Sequence, residues 1–247
     1  MNGTNSQGTY TKFFETFTQR GWCIANQNIF SLKDKNIFGS ELLLRVGNEG
    51  DYLDNSKYFP NICERKEFEN ISIEILKLVK KNLFNSPNSF KEKTFMNFSP
   101  SEIKNDLIFQ SIKELGQLFK SCNKQLVIEL SEIFSISDFE LLTHKIHSLT
   151  DDGIDLAIDD YGKGILDSKV FNNFKISFLK LDKSICSDAF NQNLDLANKI
   201  LQYCFEKNII CIAEGIETQE MLASMNNLGV DLGQGYYFHK PEIIFSN

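Results

Sequence analysis

Polar and charged side chains stand at the ends of short apolar runs along the chain, at spacings that point to one shared site. Asp159 and Asp160 follow the run 154–158, and residues of the same kind close other runs: Glu41, Asn97, Glu129, Lys180, Glu214 and Gln234. From Asn97 to Gln234 the intervals are 32, 30, 21, 34 and 20 residues. Each interval fits one strand plus the helix that leads to the next strand, so the spacing predicts that these side chains meet at one edge of a parallel sheet.

This set of five carboxylates, two amides and one lysine indicates metal-dependent chemistry at phosphorus. Charged side chains in apolar strands are costly to bury unless they are paired or bind a metal ion. Oxygen ligands suit Mg²⁺ or Mn²⁺, and two such ions about 4 Å apart are a common arrangement for displacement at phosphorus. Taken singly, the same residues also fit solvated strand ends, an acidic turn and a lysine that extends to solvent. Their shared spacing favours the two-metal site.

The strands that would carry these residues indicate a barrel. Two candidate strands, 23–32 and 37–46, are joined by the turn 33–36, which is short enough to require antiparallel pairing. From residue 93 onward, strands alternate with helices, as in a parallel sheet. Eight strands in this length predict an α/β fold, a modified TIM-type (β/α)8 barrel with one antiparallel strand. An open doubly wound sheet is the alternative, and the lack of a G-x-G-x-x-G turn after any strand disfavours it.

Helix periodicity and capping signals complete the predicted pattern. Ser99, Pro100 and Glu102 form a capping box that starts a helix. We expect the buried face of that helix to carry Ile103, Leu107, Ile108, Leu115 and Phe119. Further helices are predicted at about 10–20, 68–83, 168–174, 189–206 and 218–228, with a last strand near 231–238.

The composition narrows the class of protein. The 247 residues are 42% hydrophobic, which suits one barrel domain over 10–247 after a flexible N-terminus, 1–9. A net charge of -7 argues against binding of long nucleic acid, because phosphate contacts need clustered Lys and Arg. No leader pattern and no apolar run of about 20 residues is present, and the six cysteines have no zinc or disulfide spacing. We therefore expect a soluble, cytoplasmic protein that binds no membrane.

Seven short motifs follow one another in the order of a known family, from about Gln27 to Pro241. They are Glu41-Leu42-Leu43, Asn97-Phe98-Ser99-Pro100, Glu129-Leu130-Ser131-Glu132, Asp159-Asp160-Tyr161-Gly162, Lys180-Leu181-Asp182-Lys183-Ser184, Ala213-Glu214-Gly215-Ile216-Glu217-Thr218 and Gln234-Gly235-Tyr236. The sequence resembles the EAL domain family, the cyclic di-GMP phosphodiesterases, whose barrel has one antiparallel strand. Leu42 replaces the alanine of the family's signature tripeptide, a change that should not remove a ligand.

The resemblance implies a role for each residue of the set. Glu41, Asn97, Glu129 and Asp159 would hold one Mg²⁺ or Mn²⁺ ion, and Asp159 and Asp160 a second. Glu214 would be the general base or a ligand of the second ion, and Lys180 would steady the attacking water. The substrate cyclic di-GMP, opened to linear pGpG, would be contacted by Gln27, Arg45 and Gln234. Glu217 would orient the ligands together with Gln234, and Glu132 would anchor the loop after the aspartate pair.

The clearest departure from the family lies just after Asp160. The family's T-G-Y-S-S is replaced by Lys163-Gly164-Ile165-Leu166-Asp167, in a loop that couples the metal site to a dimer contact in that family. A homodimer through this loop and full activity are therefore open questions. Two other functions stay open: a catalytically weak or inactive cyclic di-GMP receptor or adaptor, and a barrel phosphodiesterase with another diester as substrate. The three histidines, His144, His147 and His239, are not predicted to be ligands.

Overall fold

The computed structural model describes residues 6–48, 50–53, 62, 66–130, 136–161, 173–191 and 193–246. Its strands are β1 Trp22–Ser31, β2 Ile37–Asn48, β3 Asp51–Tyr52, β4 Lys93–Phe98, β5 Gln125–Leu130, β6 Asp155–Tyr161, β7 Phe178–Leu181, β8 Ile210–Ala213, β9 Leu232–Gly233 and β10 Glu242–Ser246. Its helices are α1 Ser6–Arg20, α2 Lys66–Asn85, α3 Pro100–Lys104, α4 Asp106–Ser121, α5 Ile136–Asp151, α6 Lys183–Phe190, α7 Asp195–Lys207 and α8 Gln219–Asn227.

Eight of these strands close into a barrel. Strands β2, β4, β5, β6, β7, β8 and β9 pair in parallel in that order, and β1 closes the ring by antiparallel pairing with both β2 and β9. The short β3 extends β2, and β10 pairs antiparallel with the beginning of β1. The predicted modified barrel with one antiparallel strand is confirmed.

The barrel interior has an apolar layer directly below the polar side chains predicted from the sequence. This layer consists of Ile29, Phe95, Val127, Ala157, Phe178, Ile212 and Leu232, all buried. Side chains two positions apart on a strand point to the same face, so the inward residue after Phe95 is Asn97 and the one after Phe178 is Lys180. The apolar layer therefore closes the floor of the site, and the next inward row forms its polar wall.

The helices pack outside the barrel against a separate, larger apolar core. The capping box at Ser99 is confirmed, because its side chain accepts from the Glu102 N–H while the Glu102 carboxylate accepts from the Ser99 N–H. The helix it starts is shorter than predicted. Asn105 ends α3 and caps α4, since its side chain accepts the N–H groups of Leu107 and Ile108. The new helix turns Leu107 outward, 72% exposed, so its predicted place on the buried face is wrong.

The second half differs from the prediction at three points. Helix α6 was not predicted, and it begins because the Asp182 side chain accepts the Ser184 N–H at 2.8 Å and caps it. Strand β9 is only two residues long, and the strand β10 follows it. The predicted helix near 168–174 falls mostly outside the described residues. Among the helices that the structure does describe, none has the length and apolar character of a membrane span.

Candidate active site

Lys180 lies at the centre of the polar wall and its ammonium group is surrounded by carboxylates. Its Nζ lies 3.2 Å from Glu41 Oε2, 2.9 Å from Glu129 Oε1, 3.0 Å from Asp159 Oδ1 and 2.9 Å from Glu214 Oε1. The lysine side chain is 1% exposed, so water contributes little to its solvation. An ammonium group has three N–H donors, so it cannot satisfy all four carboxylates by hydrogen bonds at once.

Side-chain amides hold two of the carboxylates, with Asn97 joining Glu41 to Glu129 and Gln234 joining Glu41 to Gln27. Asn97 Nδ2 donates to Glu41 Oε1 and to Glu129 Oε2, both at 2.9 Å. Gln234 Nε2 donates to Glu41 Oε2 at 2.9 Å and to Gln27 Oε1 at 3.1 Å. A half-turn of the Asn97 amide would direct its oxygen between the same two carboxylates, as a cation bound there would require. The amides therefore hold Glu41 and Glu129 in place without adding charge.

A backbone irregularity brings both carboxylates of the aspartate pair to the site. The pairing of β6 with β7 shifts register between Ile158 and Tyr161, and Asp160 has a φ of 55°. A bulge of this kind redirects a side chain that regular alternation would send to the opposite face, and Asp accepts the left-handed region better than most residues. Oxygens of Asp159, Asp160 and Glu214 consequently lie within 4.8 Å of one another.

The carboxylates differ in how strongly they hold a proton. Burial raises the pKa of Glu214 to about 8, with Lys180 opposing the shift and Asp159 adding to it. Burial, reinforced by the charge of Glu41, raises the pKa of Glu129 well above its usual range. Burial opposes ionisation of Glu41 as well, but the charge of Lys180 and three hydrogen bonds hold the pKa of Glu41 below its usual value.

Lys180 itself keeps its proton. Burial alone would lower the pKa of Lys180, but the charges of four carboxylates outweigh that effect and raise it well above its usual value. One permanent positive charge therefore faces five acidic groups, counting Asp160. The site is short of positive charge.

The donor set fits hard divalent cations. All of its charged donors are carboxylate oxygens, the ligands that Mg²⁺, Mn²⁺ and Ca²⁺ prefer. Two of these buried oxygens, Glu129 Oε1 and Asp159 Oδ1, accept no hydrogen bond of acceptable geometry from the residues described, although both lie close to Lys180 Nζ. Buried acceptors are normally satisfied, so these two oxygens are available to a cation. Asp159, Asp160 and Glu214 form a second group with ligand spacing.

A cavity of about 370 Å³ opens above this cluster. Its lining side chains and backbone come from Gln27, Glu41, Asp160, Asp182, Lys183, Glu214, Gly215, Glu217, Gln234, Gly235 and Tyr236. Gln27 and Gln234, which were predicted to contact the substrate, both line this cavity. Gln234 Oε1 is buried without a hydrogen-bond partner among the described residues, so it can accept one from a bound molecule.

Two of the predicted residues, Arg45 and Glu217, stand apart from the cluster. Arg45 lies on the same strand as Glu41, donates from Nη1 to the Leu44 carbonyl at 3.0 Å and is not among the described residues that line the cavity. Glu217 lines the cavity but pairs with Lys183 at 2.5 Å. Glu132 and the altered loop 163–167 lie outside the described residues. The roles of Arg45, Glu217 and Glu132, and the predicted dimer contact, stay predictions.

The structure adds one residue to the predicted site, His239, which contacts Gln27 and Asn28. The His239 carbonyl accepts from Gln27 Nε2 at 3.1 Å, and its Nδ1 accepts the Asn28 N–H at 3.2 Å. His239 therefore holds Gln27 in place. The position of His239 just after the last barrel strand was the one available signal, and spacing alone could not show which strand it would contact.

The comparisons with known proteins agree with this fold. Residues 12–241 match the EAL domain family, and the chain belongs to it. The cyclic di-GMP phosphodiesterase PdeA of Borreliella burgdorferi is 27% identical over 212 residues, which cover 83% of this chain and 31% of that protein. The chain thus spans about a third of the length of this curated relative.

Solved structures show the same barrel. The EAL enzyme Bd1971, in a form bound to cAMP and cyclic di-GMP, matches with a TM-score of 0.77 at 22% identity, over 96% of this chain and 66% of that one. BlrP1 of Klebsiella pneumoniae, in a complex with calcium and cyclic di-GMP, matches with a TM-score of 0.73 at 20% identity, over 92% of this chain and 57% of that one. At these identities the matches establish the fold.

Proposed function

We propose that this chain is a metal-dependent phosphodiesterase that hydrolyses cyclic di-GMP to linear pGpG. The observation that carries the proposal is the cluster of five carboxylates and one asparagine around the buried Lys180, beneath an open cavity. Membership of the EAL family and the cyclic di-GMP phosphodiesterase activity of the relative PdeA support the choice of substrate.

The cluster offers two groups of ligands, one for each of two cations, and Asp159 belongs to both groups. Glu41, Asn97, Glu129 and Asp159 would hold the first, and Asp159, Asp160 and Glu214 the second. When bound, the two ions would polarise the phosphoryl oxygens and lower the pKa of the attacking water. The carboxylate oxygen of Glu214 lies within 4.8 Å of those of Asp159 and Asp160, which favours the role of ligand for Glu214 over that of general base.

The chain's own residues would act by charge and by position. Lys180 keeps a positive charge at a buried point, where preorganised charge stabilises a transition state more effectively than it does in water. Before a cation binds, Asn97 and Gln234 each donate to one oxygen of Glu41 and restrict rotation of its carboxylate; after the half-turn of the Asn97 amide, Gln234 would keep its hydrogen bond to Glu41. Gln234 Oε1 would accept a hydrogen bond from the substrate or from an ordered water.

The test is incubation of the purified protein with cyclic di-GMP and Mg²⁺ or Mn²⁺, with chromatography of the products. We expect pGpG, no product after EDTA treatment, and no measurable product from Asp159→Asn. Asp188 is exposed on α6 and is not among the described residues that line the cavity, so Asp188→Asn is the matched control and should retain turnover. Binding of cyclic di-GMP without pGpG would identify a receptor or adaptor. Faster hydrolysis of a simple aryl diester than of the dinucleotide would identify a different substrate.

A further inference from the structure

Lys183 is a second positively charged side chain at the site, and it differs from Lys180 in being exposed to the cavity. Lys180 is buried among carboxylates, whereas the Lys183 side chain is 58% exposed and lines the cavity. The other charged side chains in the described lining of that cavity are all acidic: Glu41, Asp160, Asp182, Glu214 and Glu217. Lys183 is therefore the one positively charged group among the described lining residues that a ligand in the cavity could reach.

The position of Lys183 is fixed from two sides. Its Nζ pairs with Glu217 Oε1 at 2.5 Å. Its aliphatic stem lies over Gly215, where a Cβ would come 2.6 Å from Lys183 Cγ and 2.9 Å from its Cβ. Gly215 has a φ of 67°, which is accessible to glycine at little cost. A glycine at 215 thus leaves the space that the stem of Lys183 occupies at the cavity wall.

The pairing with Glu217 does not exhaust the binding capacity of this lysine. An ammonium group has three N–H donors, and Glu217 Oε1 is the acceptor that the structure gives it. The Glu217 side chain is 48% exposed, and an ion pair so open to water contributes about 1 kcal/mol or less. An anionic group that enters the cavity can therefore share or replace Glu217 as a partner of Lys183.

The proposed substrate has two phosphodiester groups, and the carboxylate cluster with its cations can neutralise one of them. The second would lie in the cavity among acidic side chains, where it needs a positive partner. We propose that Lys183 binds this second, non-reacting phosphodiester and so selects cyclic dinucleotides over substrates with a single phosphodiester. This inference rests on the proposed function and adds a specificity-determining residue to it.

The experiment compares Lys183→Met, Lys183→Arg and the matched control Lys199→Met, whose lysine is exposed on α7. Affinity for cyclic di-GMP is measured calorimetrically in Ca²⁺, the ion of the BlrP1 complex, with chromatography to verify that the ligand stays intact. Turnover is measured in Mn²⁺ on cyclic di-GMP and on bis(p-nitrophenyl) phosphate, which has one phosphodiester. Circular dichroism and thermal unfolding verify that each variant folds.

If Lys183 binds the second phosphodiester, Lys183→Met weakens the affinity for cyclic di-GMP by about tenfold, the loss expected for one charge-assisted contact. The ratio of kcat/KM on the dinucleotide to kcat/KM on the aryl diester should fall by a similar factor. Lys183→Arg keeps the charge and should restore both values to within about twofold of the parent. Lys199→Met should match the parent.

Equal affinity of Lys183→Met and the parent would overturn the assignment of Lys183 while leaving the phosphodiesterase in place. Equal losses on both substrates would also overturn it, because they would indicate a general effect on the site. Tight binding by the parent without hydrolysis, weakened in Lys183→Met, would support the role of Lys183 and overturn the proposed catalysis. Neither binding nor hydrolysis by the parent would overturn both proposals.

Discussion

Replacement of Lys180 by methionine tests whether this lysine is the counter-charge that lets the acidic cluster fold without metal. Methionine has a similar length and lacks the charge, so the change removes the contacts of Nζ with four carboxylates at 2.9–3.2 Å. Breaking a buried ion pair by removing one partner costs about 3–5 kcal/mol. Protonation of the carboxyls whose pKa is already raised, Glu129 and Glu214, limits the loss.

We therefore expect Lys180→Met to lower the free energy of unfolding by about 3 kcal/mol at pH 8 in EDTA. In thermal unfolding this corresponds to a fall in Tm of roughly 6–12 °C for a domain of this size. The matched control is Lys80→Met, since Lys80 pairs with Glu114 at 2.6 Å but the glutamate is 54% exposed. Loss of that exposed pair should cost about 1 kcal/mol or less.

The loss of stability in Lys180→Met should also depend on pH, in a direction that the raised pKa values determine. A carboxyl group with a folded-state pKa above its unfolded value binds more protons when folded, so its contribution to stability is largest at low pH and is lost as pH rises through the folded pKa. For Glu214 that window runs from the ordinary value near 4.5 up to about 8. The deficit of Lys180→Met should therefore shrink as the pH is lowered from 8 toward 5, because protonated carboxyls no longer need the ammonium group.

Urea unfolding in EDTA at several pH values measures this deficit, with the m-value as a check that both proteins unfold to the same extent. A deficit at pH 8 no larger than that of Lys80→Met would refute the argument that Lys180 compensates the cluster. A deficit that grew toward low pH would refute the proposed protonation of Glu129 and Glu214.

Three further predictions concern other groups. Glu214→Gln should raise metal-free stability at pH 8 by on the order of 2 kcal/mol, because it removes a carboxylate that burial disfavours, and the gain should vanish near pH 5 in urea unfolding. Gly235→Ala should lower the free energy of unfolding by about 2–3 kcal/mol in the same assay, because the added Cβ would overlap the backbone of Ile216; an unchanged value would contradict that packing. Cys186 is fully buried and burial raises the pKa of its thiol to about 12, so peptide mapping after iodoacetamide treatment of the folded protein at pH 8 should find it unmodified while the half-buried Cys122 reacts. Modification of Cys186 at the rate of Cys122 would mean that the α6 region opens readily.

Much of the site could be predicted from the sequence because strand geometry places it. Six of the seven barrel strands that run in the common direction, β4 to β9, have an apolar residue in the inner layer and a polar residue two positions later, as in Val127 with Glu129 and Phe178 with Lys180. Alternation sends both to the same face, and a strand-plus-helix unit sets the interval to the next strand. Regular spacing in the sequence thus became a ring of side chains in the structure.

Where the backbone departs from regular strand or helix geometry, sequence periodicity no longer predicts where a side chain lies. Alternation assigns Asp159 and Asp160 to opposite faces, and only the bulge with its positive φ at Asp160 brings both to the second ligand group. The end of α3 was missed for a related reason, since Asn105 stops one helix and caps the next within a continuous apolar pattern. Backbone N–H groups that donate to the short polar side chains of Asn105 and Asp182 determine the starts of α4 and α6.

Gln27 shows why the antiparallel strand is the hardest to interpret from spacing. Strand β1 runs opposite to its neighbours, so its inward polar residue precedes the apolar one, Ile29, instead of following it. Register then places Gln27 directly opposite Glu41, and Gln234 links the two side chains. A rule based on the ends of strands could not find this residue, and the resemblance to the family did. The reversed strand thus adds to the site an amide held by His239 at one end and joined through Gln234 to Glu41 at the other.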